Sequence, residues 1–243
     1  MCYSDDARPP QPPRSGAAGE IGDFTLTAND GNQLMAYGAR AVQPSGAGIV
    51  ILPDIRGLHD FYKELAVRFA EARVDAVAID YFGRTAGAGP RDESFVFRPH
   101  VDATTPEGIA ADVAAAIERL RSPEGGAVER VYTVGFCFGG SNSWRQSAAQ
   151  PDLAGAIGFY GQPARARAAI PEMKAPLLIL VAGEDHTPVA EFELFDRQLT
   201  EAGVPHEMVV YEGAPHSFFD RTFAEHRAAC EDAWRRMLAF IGV

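Results

Sequence analysis

Three short stretches of this chain place side chains that could act together in covalent chemistry. Gly135-Phe136-Cys137-Phe138-Gly139-Gly140 sets a cysteine between glycines, Gly183-Glu184-Asp185-His186-Thr187-Pro188 carries an acid, and Gly213-Ala214-Pro215-His216-Ser217-Phe218 carries a histidine. A cysteine on a sharp strand-to-helix turn projects above a sheet. Glycines at its flanks remove the Cβ atoms that so tight a turn would bring into collision. The helix that follows would aim its N-terminal amides at the sulfur and favour thiolate over thiol. Cys137 is therefore the candidate nucleophile. The plainer alternative is a buried structural cysteine beside a glycine-rich packing contact.

A nucleophile on such a turn needs a base and an orienting acid, which arrive in the chain order nucleophile, acid, base on loops after later strands. Asp185 follows a predicted strand ending at Ala182, and His216 follows one ending at Tyr211. Both fall where an open α/β sheet places its site. Glu184 and His186 are immediate neighbours that compete with Asp185 for the acid's position. The oxyanion of a tetrahedral intermediate should meet the amide of Phe138 and one amide from Pro53-Asp54-Ile55-Arg56-Gly57, with Ile55 the candidate. Loss of one such donor costs on the order of 3 to 4 kcal/mol in other hydrolases. Asp54 stands at the same rim, as a site residue or only as a turn residue. There is no C-x-x-C pair or H-E-x-x-H helix, so neither a metal nor any other cofactor is expected. His59, His206 and His226 have no constellation around them.

The elements that must position these residues are legible from periodicity. Phe24 to Thr27 and Gln33 to Arg40 flank Asn29-Asp30-Gly31-Asn32, which predicts an antiparallel hairpin. Short apolar runs then alternate with helix-period segments, the pattern of βαβ units. Predicted strands run over Ala47 to Leu52, Val74 to Asp80, Arg130 to Phe136, Ala154 to Tyr160, Pro176 to Ala182 and His206 to Tyr211. Predicted helices carry Leu65 and Phe69, then Ile109, Val113, Ile117 and Leu120 behind a Thr105 cap with Pro106 at the first helical position. Others carry Val189, Phe192, Phe195 and Leu199, and Trp234, Met237, Leu238 and Ile241. The expected fold is a three-layer α/β/α sandwich with a mostly parallel eight-stranded sheet. The stretch from Gly83 to Thr104 has no regular period and is too long for a plain connection, so it should cover something.

The 243 residues are 47% hydrophobic and 23% charged, which fits one domain that buries roughly 70 to 75% of the unfolded chain's surface. Residues 1–20, rich in proline and glycine, are read as a tail, with an arm lying along the domain surface left open; the domain is expected over 21–243. A net charge of −11 disfavours nucleic acid and anionic membrane surfaces. Apolar runs are strand-sized, well short of the ~18 residues of a membrane span. The N-terminus lacks a basic-then-apolar leader pattern, and the odd set Cys2, Cys137 and Cys230 makes no disulfide framework. The cytoplasm is the expected compartment, and monomer or dimer is left open.

Taken together, G-F-C-F-G-G, G-x-D-H-x-x-P around Asp185, A-P-H-S-F around His216 and the D-Y-F-G-R run ending in Arg84 resemble the dienelactone hydrolase family of cysteine-dependent α/β-hydrolases. The likeness runs from about Gly22 to the C-terminus. It implies a triad of Cys137, Asp185 and His216, a substrate-binding arginine at Arg84, and a small lactone or activated carboxylic ester as substrate. Two departures stand out. The family's best-known members carry a glutamate where this chain has Asp54, and a second arginine where it has Asp220, followed by Arg221. Arg91, Arg98 and His100, with Phe95 and Phe97 between them, are candidates for substitute contacts or a solvated loop. Two rival classes remain. A glutamine amidotransferase would pair its cysteine with an H-x-E run, whereas His216 is followed by Ser217 and Phe218. A non-hydrolytic thiol protein, sensor or lapsed binding module, would use Cys137 without ester turnover.

Overall fold

The computed structural model describes residues 3–13 and 16–243. Cys2 lies outside them. Eight strands form one sheet: β1 (Ala18–Thr27), β2 (Gln33–Ala41), β3 (Ala47–Leu52), β4 (Asp75–Ile79), β5 (Arg130–Phe136), β6 (Gly155–Phe159), β7 (Leu177–Glu184) and β8 (His206–Pro215). Their order is β1-β2-β4-β3-β5-β6-β7-β8. β2 runs antiparallel to both its neighbours, β1 and β4, and β3 to β8 run parallel to one another. The β1–β2 turn closes at the predicted residues: Gly31 takes φ 84°, a left-handed conformation that costs glycine no Cβ clash, and Thr27 pairs with Gln33. β1 begins at Ala18, six residues before the predicted Phe24, because Ala18 finds a partner in Ala41 across a register shift.

The helices are α1 (Asp60–Glu71), α2 (Gly83–Ala86), α3 (Arg98–Ala103), α4 (Pro106–Arg121), α5 (Phe138–Ala149), α6 (Pro163–Ala166), α7 (Val189–Glu201) and α8 (Arg227–Ile241). β3 is buried along its whole length, and its alternating side chains feed two cores. Ile49 and Ile51 join Phe61, Leu65 and Phe69 of α1 and Trp234 and Met237 of α8. Val50 and Leu52 join Ile109, Val113 and Ile117 of α4, Trp144 of α5 and Phe192 and Phe195 of α7. Those apolar stripes are the ones the spacing predicts, and the Thr105 hydroxyl accepts from the Gly108 amide at 3.1 Å as the α4 cap.

Residues 3–13 have no regular secondary structure, yet Tyr3, Ala7, Pro9, Pro10 and Pro12 are buried against the domain. The Trp234 indole donates to the Pro10 carbonyl at 3.0 Å. The chain leaves β3 for β4 on one side and reaches β5 on the other, so the loops after β3 and β5 diverge around a crevice at the carboxyl edge of the sheet.

Candidate active site

Cys137 stands between the last residue of β5 and the first of α5 with φ 55° and ψ −115°. Such a conformation is costly for a residue with a Cβ and persists only where the surroundings over-determine it. Here the Cys137 amide donates to the Phe159 carbonyl at 3.0 Å, and the Cys137 carbonyl accepts from Gly140 at 3.0 Å. The flanking glycines are sterically required. A Cβ at Gly135 would overlap the Gly139 carbonyl, and one at Gly139 would overlap the carbonyls of Leu52 and Pro53. The turn is thereby pressed onto the loop after β3, which carries Ile55.

β7 and β8 deliver the other two residues. His216 Nδ1 lies 2.9 and 2.8 Å from the two Asp185 oxygens, and Oδ1 also accepts from the His186 amide at 2.5 Å. The Asp185 side chain is 2% exposed and the His216 ring 20%. On its other side His216 shares a hydrogen bond with Cys137. Burial works against the imidazolium, but the Asp185 carboxylate and the Cys137 sulfur outweigh it and raise the His216 pKa to about 9. His216 is thus held protonated at neutral pH beside the sulfur. Cys230 is the contrasting case, for burial pushes its thiol up to about 12.

These residues open on a cavity of about 250 Å³. Ile55 and Phe138, the residues expected to offer oxyanion amides, line it together with Phe97 and Val101 from the 83–104 segment. That segment's covering role is carried by α3 and the residue before it. Tyr160, Gln162 and Arg165 form the wall after β6, and His186 and Thr187 the rim after β7. The Tyr160 ring packs 4.8 Å from that of His216. Arg165 lies 5.2 Å from the Phe138 ring and bonds Gln162, and among the described residues it has no ion pair. A larger cavity of about 670 Å³, bordered by Asp5, His59, Lys63 and Arg91, contains none of Cys137, Asp185 and His216.

Two expected substrate contacts are not brought to this cavity. Arg84 donates Nε and Nη2 to Asp112 at 2.9 and 2.8 Å and Nη1 to Asp30 at 2.6 Å, which consumes its fork in an ion-pair cluster behind α4. Asp54 is 0% exposed and absent from the lining; its Oδ1 turns back to accept from the Arg56 amide at 2.8 Å, the self-bonded turn that a short acidic side chain favours. Of the other candidates, Arg91 pairs with Asp80 at 2.8 Å, and His100 stacks on Phe95. Arg221 reaches Glu64 at 3.2 Å. Of these charged candidates Arg98 lines the cavity, beside Phe97. Sequence reading missed Tyr160, Gln162 and Arg165. Their signal was position just past a parallel strand's carboxyl end, with nothing in residue type to single them out.

The sheet order, the cysteine turn and the acid and histidine on later loops define an α/β-hydrolase. The sequence model of the dienelactone hydrolase family matches residues 34–243. A protein of Escherichia coli (strain K12) named "Putative carboxymethylenebutenolidase" is 28% identical over 232 residues, spanning 90% of this chain and 85% of its own. A Bradyrhizobium protein named "Probable 2-oxo-3-(5-oxofuran-2-ylidene)propanoate lactonase" is 23% identical over 239 residues, 90% of this chain and 93% of its own. A crystal structure described as "Putative Dienelactone Hydrolase from Klebsiella pneumoniae subsp. pneumoniae MGH 78578" superposes with a TM-score of 0.78 at 26% identity, covering 92% of this chain and 99% of the other. The chain belongs to the dienelactone hydrolase family and is a hydrolase of carboxylic esters or lactones.

Proposed function

We propose that this enzyme hydrolyses a small lactone or activated ester through a thioacyl intermediate on Cys137, with His216 as proton carrier and Asp185 as its orienting acid. The observation that carries the reading is His216 held between the Asp185 carboxylate and the Cys137 sulfur, with its pKa raised to about 9. The Cys137 thiolate attacks the carbonyl carbon, and the amides of Ile55 and Phe138 receive the oxyanion. Collapse breaks the acyl C–O bond, and the leaving oxygen takes the His216 proton. Water then gives a proton to His216 and attacks the thioester carbonyl; the C–S bond breaks, the thiolate returns and the acid leaves. A departing enolate makes acylation easier, which favours enol lactones. A cavity of about 250 Å³ has room for a small lactone ring.

A substrate carboxylate, implied by the names of relatives, would meet Arg165 or Arg98 rather than Arg84. Arg165 suits it better, because Arg98 already faces Asp102 at 3.5 Å. The reading includes a cytoplasmic setting and no cofactor.

Intact-mass spectrometry after brief mixing with a chromogenic acetate ester tests it, in wild type and Cys137→Ala, beside steady-state release and a dienelactone substrate. An acyl adduct and turnover that both need Cys137 are expected. Neither adduct nor turnover on either compound would overturn the hydrolytic mechanism and favour the non-hydrolytic thiol protein.

A further inference from the structure

The N-terminal arm, residues 3–13, precedes the region matched by the family, and its contacts converge on the two loops that carry the site. Tyr3 is 2% exposed and stacks on Phe61 with ring centroids 3.8 Å apart. Its hydroxyl donates to the Phe219 carbonyl at 3.3 Å, three residues after His216, and also hydrogen-bonds the Tyr160 hydroxyl. One phenol therefore ties together the His216 loop and the residue whose ring packs on His216. Tyr160 holds φ 36°, outside the comfortable range for a residue with a side chain, and the phenol tie adds to the 2.8 Å bond from its amide to the Leu180 carbonyl.

Five residues further on, the arm clamps the same loop through its backbone. The Arg8 amide donates to Asp220 Oδ1 at 3.1 Å, and the Arg8 carbonyl accepts from the Arg221 amide at 2.9 Å. Asp220 is 3% exposed and its Oδ1 also accepts from Thr222 at 2.9 Å. An aspartate at this position thus receives the arm. Between these anchors, Asp5 Oδ1 accepts from Arg56 Nη1 at 2.7 Å. Arg56 is 1% exposed, and its Nε and Nη2 have no hydrogen-bond partner among the described residues, so Asp5 is the counter-charge of an otherwise costly buried cation. Arg56 adjoins Ile55 in the loop after β3.

We infer that Tyr3 and Asp5 are positioning residues for hydrolysis, Tyr3 fixing the His216 loop and Tyr160, and Asp5 fixing the Ile55 loop, so that the arm is part of the working site. The inference rests on the triad reading above. An arm that only added stability would be anchored as Pro10 is on Trp234, away from the reacting groups. Tyr3 and Asp5 instead brace the two sides between which the thioester must form.

The test uses the full-length protein, Tyr3→Phe and Asp5→Asn, with melting temperature, kcat and KM on the acetate ester, and the pH profile of kcat/KM. Tyr3→Phe keeps the stacked ring, and Asp5→Asn keeps an oxygen that can accept from Arg56 while removing its counter-charge, so the melting temperatures separate lost stability from lost positioning. Tyr3→Phe, which removes the hydroxyl shared by Phe219 and Tyr160, and Asp5→Asn, which removes the counter-charge of Arg56 but not an acceptor, are each expected to lower kcat about tenfold with KM within about twofold. Tyr3→Phe should also move the alkaline limb of the profile down, because a looser His216 keeps its proton less firmly. Wild-type kcat and pH profile in both variants would overturn the inference while leaving the triad standing. A wild type without Cys137-dependent acylation would overturn the triad and the inference with it.

Discussion

Arg84 and Asp112 meet fork to fork, Nε and Nη2 on the two carboxylate oxygens at 2.9 and 2.8 Å, with the Asp112 side chain 0% exposed. Burial raises the Asp112 pKa even against this partner. The pair closes the β1–β2 turn against α4, since Asn32 Nδ2 also donates to Asp112 at 3.0 Å. Arg84→Ala therefore strands a buried carboxylate. We expect a loss of about 3 to 5 kcal/mol in denaturant unfolding. The ratio of kcat/KM on anionic and neutral esters should stay unchanged; a selective loss on the anionic ester would return Arg84 to the substrate.

Arg165 is the residue expected to read charge. Arg165→Ala should lower kcat/KM on a carboxylate-bearing lactone roughly tenfold, the scale of one charged hydrogen bond, and leave a neutral acetate ester within about twofold. Arg98→Ala should cost less on the same comparison, because its side chain is 76% exposed and already faces Asp102.

His216 makes stability depend on pH. Its folded pKa of about 9 lies above the unfolded value of about 6.5, so the folded state binds the extra proton between the two. Its contribution is complete below pH ~6.5 and is lost as pH rises through ~9, an upper limit of about 3 kcal/mol. Urea unfolding from pH 6 to 10 should show that decline, and His216→Gln should flatten it.

Gly139→Ala tests the contact between the nucleophile turn and the Ile55 loop. The new Cβ would run into the Leu52 and Pro53 carbonyls, so the two must part. Destabilisation of about 1 to 3 kcal/mol is expected, together with slower acyl-adduct formation as the oxyanion donors separate. Mass spectrometry of the adduct and a thermal melt measure both.

Much of the frame was legible because it follows from local rules. The alternation of apolar runs with helix-period stripes identified the strands and the long helices, and turn chemistry located the hairpin at Asn29 to Asn32. The cysteine turn was legible for the same reason: strand, glycine, nucleophile, glycine and helix are consecutive. Asp185 and His216 followed because parallel strands deliver their next loops to one edge of the sheet. Element starts were less legible. β1 extends to Ala18 because a partner strand, absent from local sequence, offers it hydrogen bonds.

Contacts between residues far apart in the chain were decided only by the tertiary structure. A short-range reading gives Arg84 a free guanidinium, but Asp30 and Asp112, 54 and 28 residues away, consume it. Asp54 has the right place in the chain and is nevertheless turned inward. Tyr160 and Arg165 reach the cavity because β6 lies next to β5 in the sheet. The proline-rich segment reads as a tail by composition, since proline removes backbone donors; apolar burial of Tyr3, Pro9 and Pro10, and partners more than 200 residues later, hold its described residues on the domain. Residue type and order determined the class of chemistry and the frame that presents it. Which charged and aromatic side chains face the reacting atoms depended on pairings across the fold, because a side chain's partner is set by proximity in space.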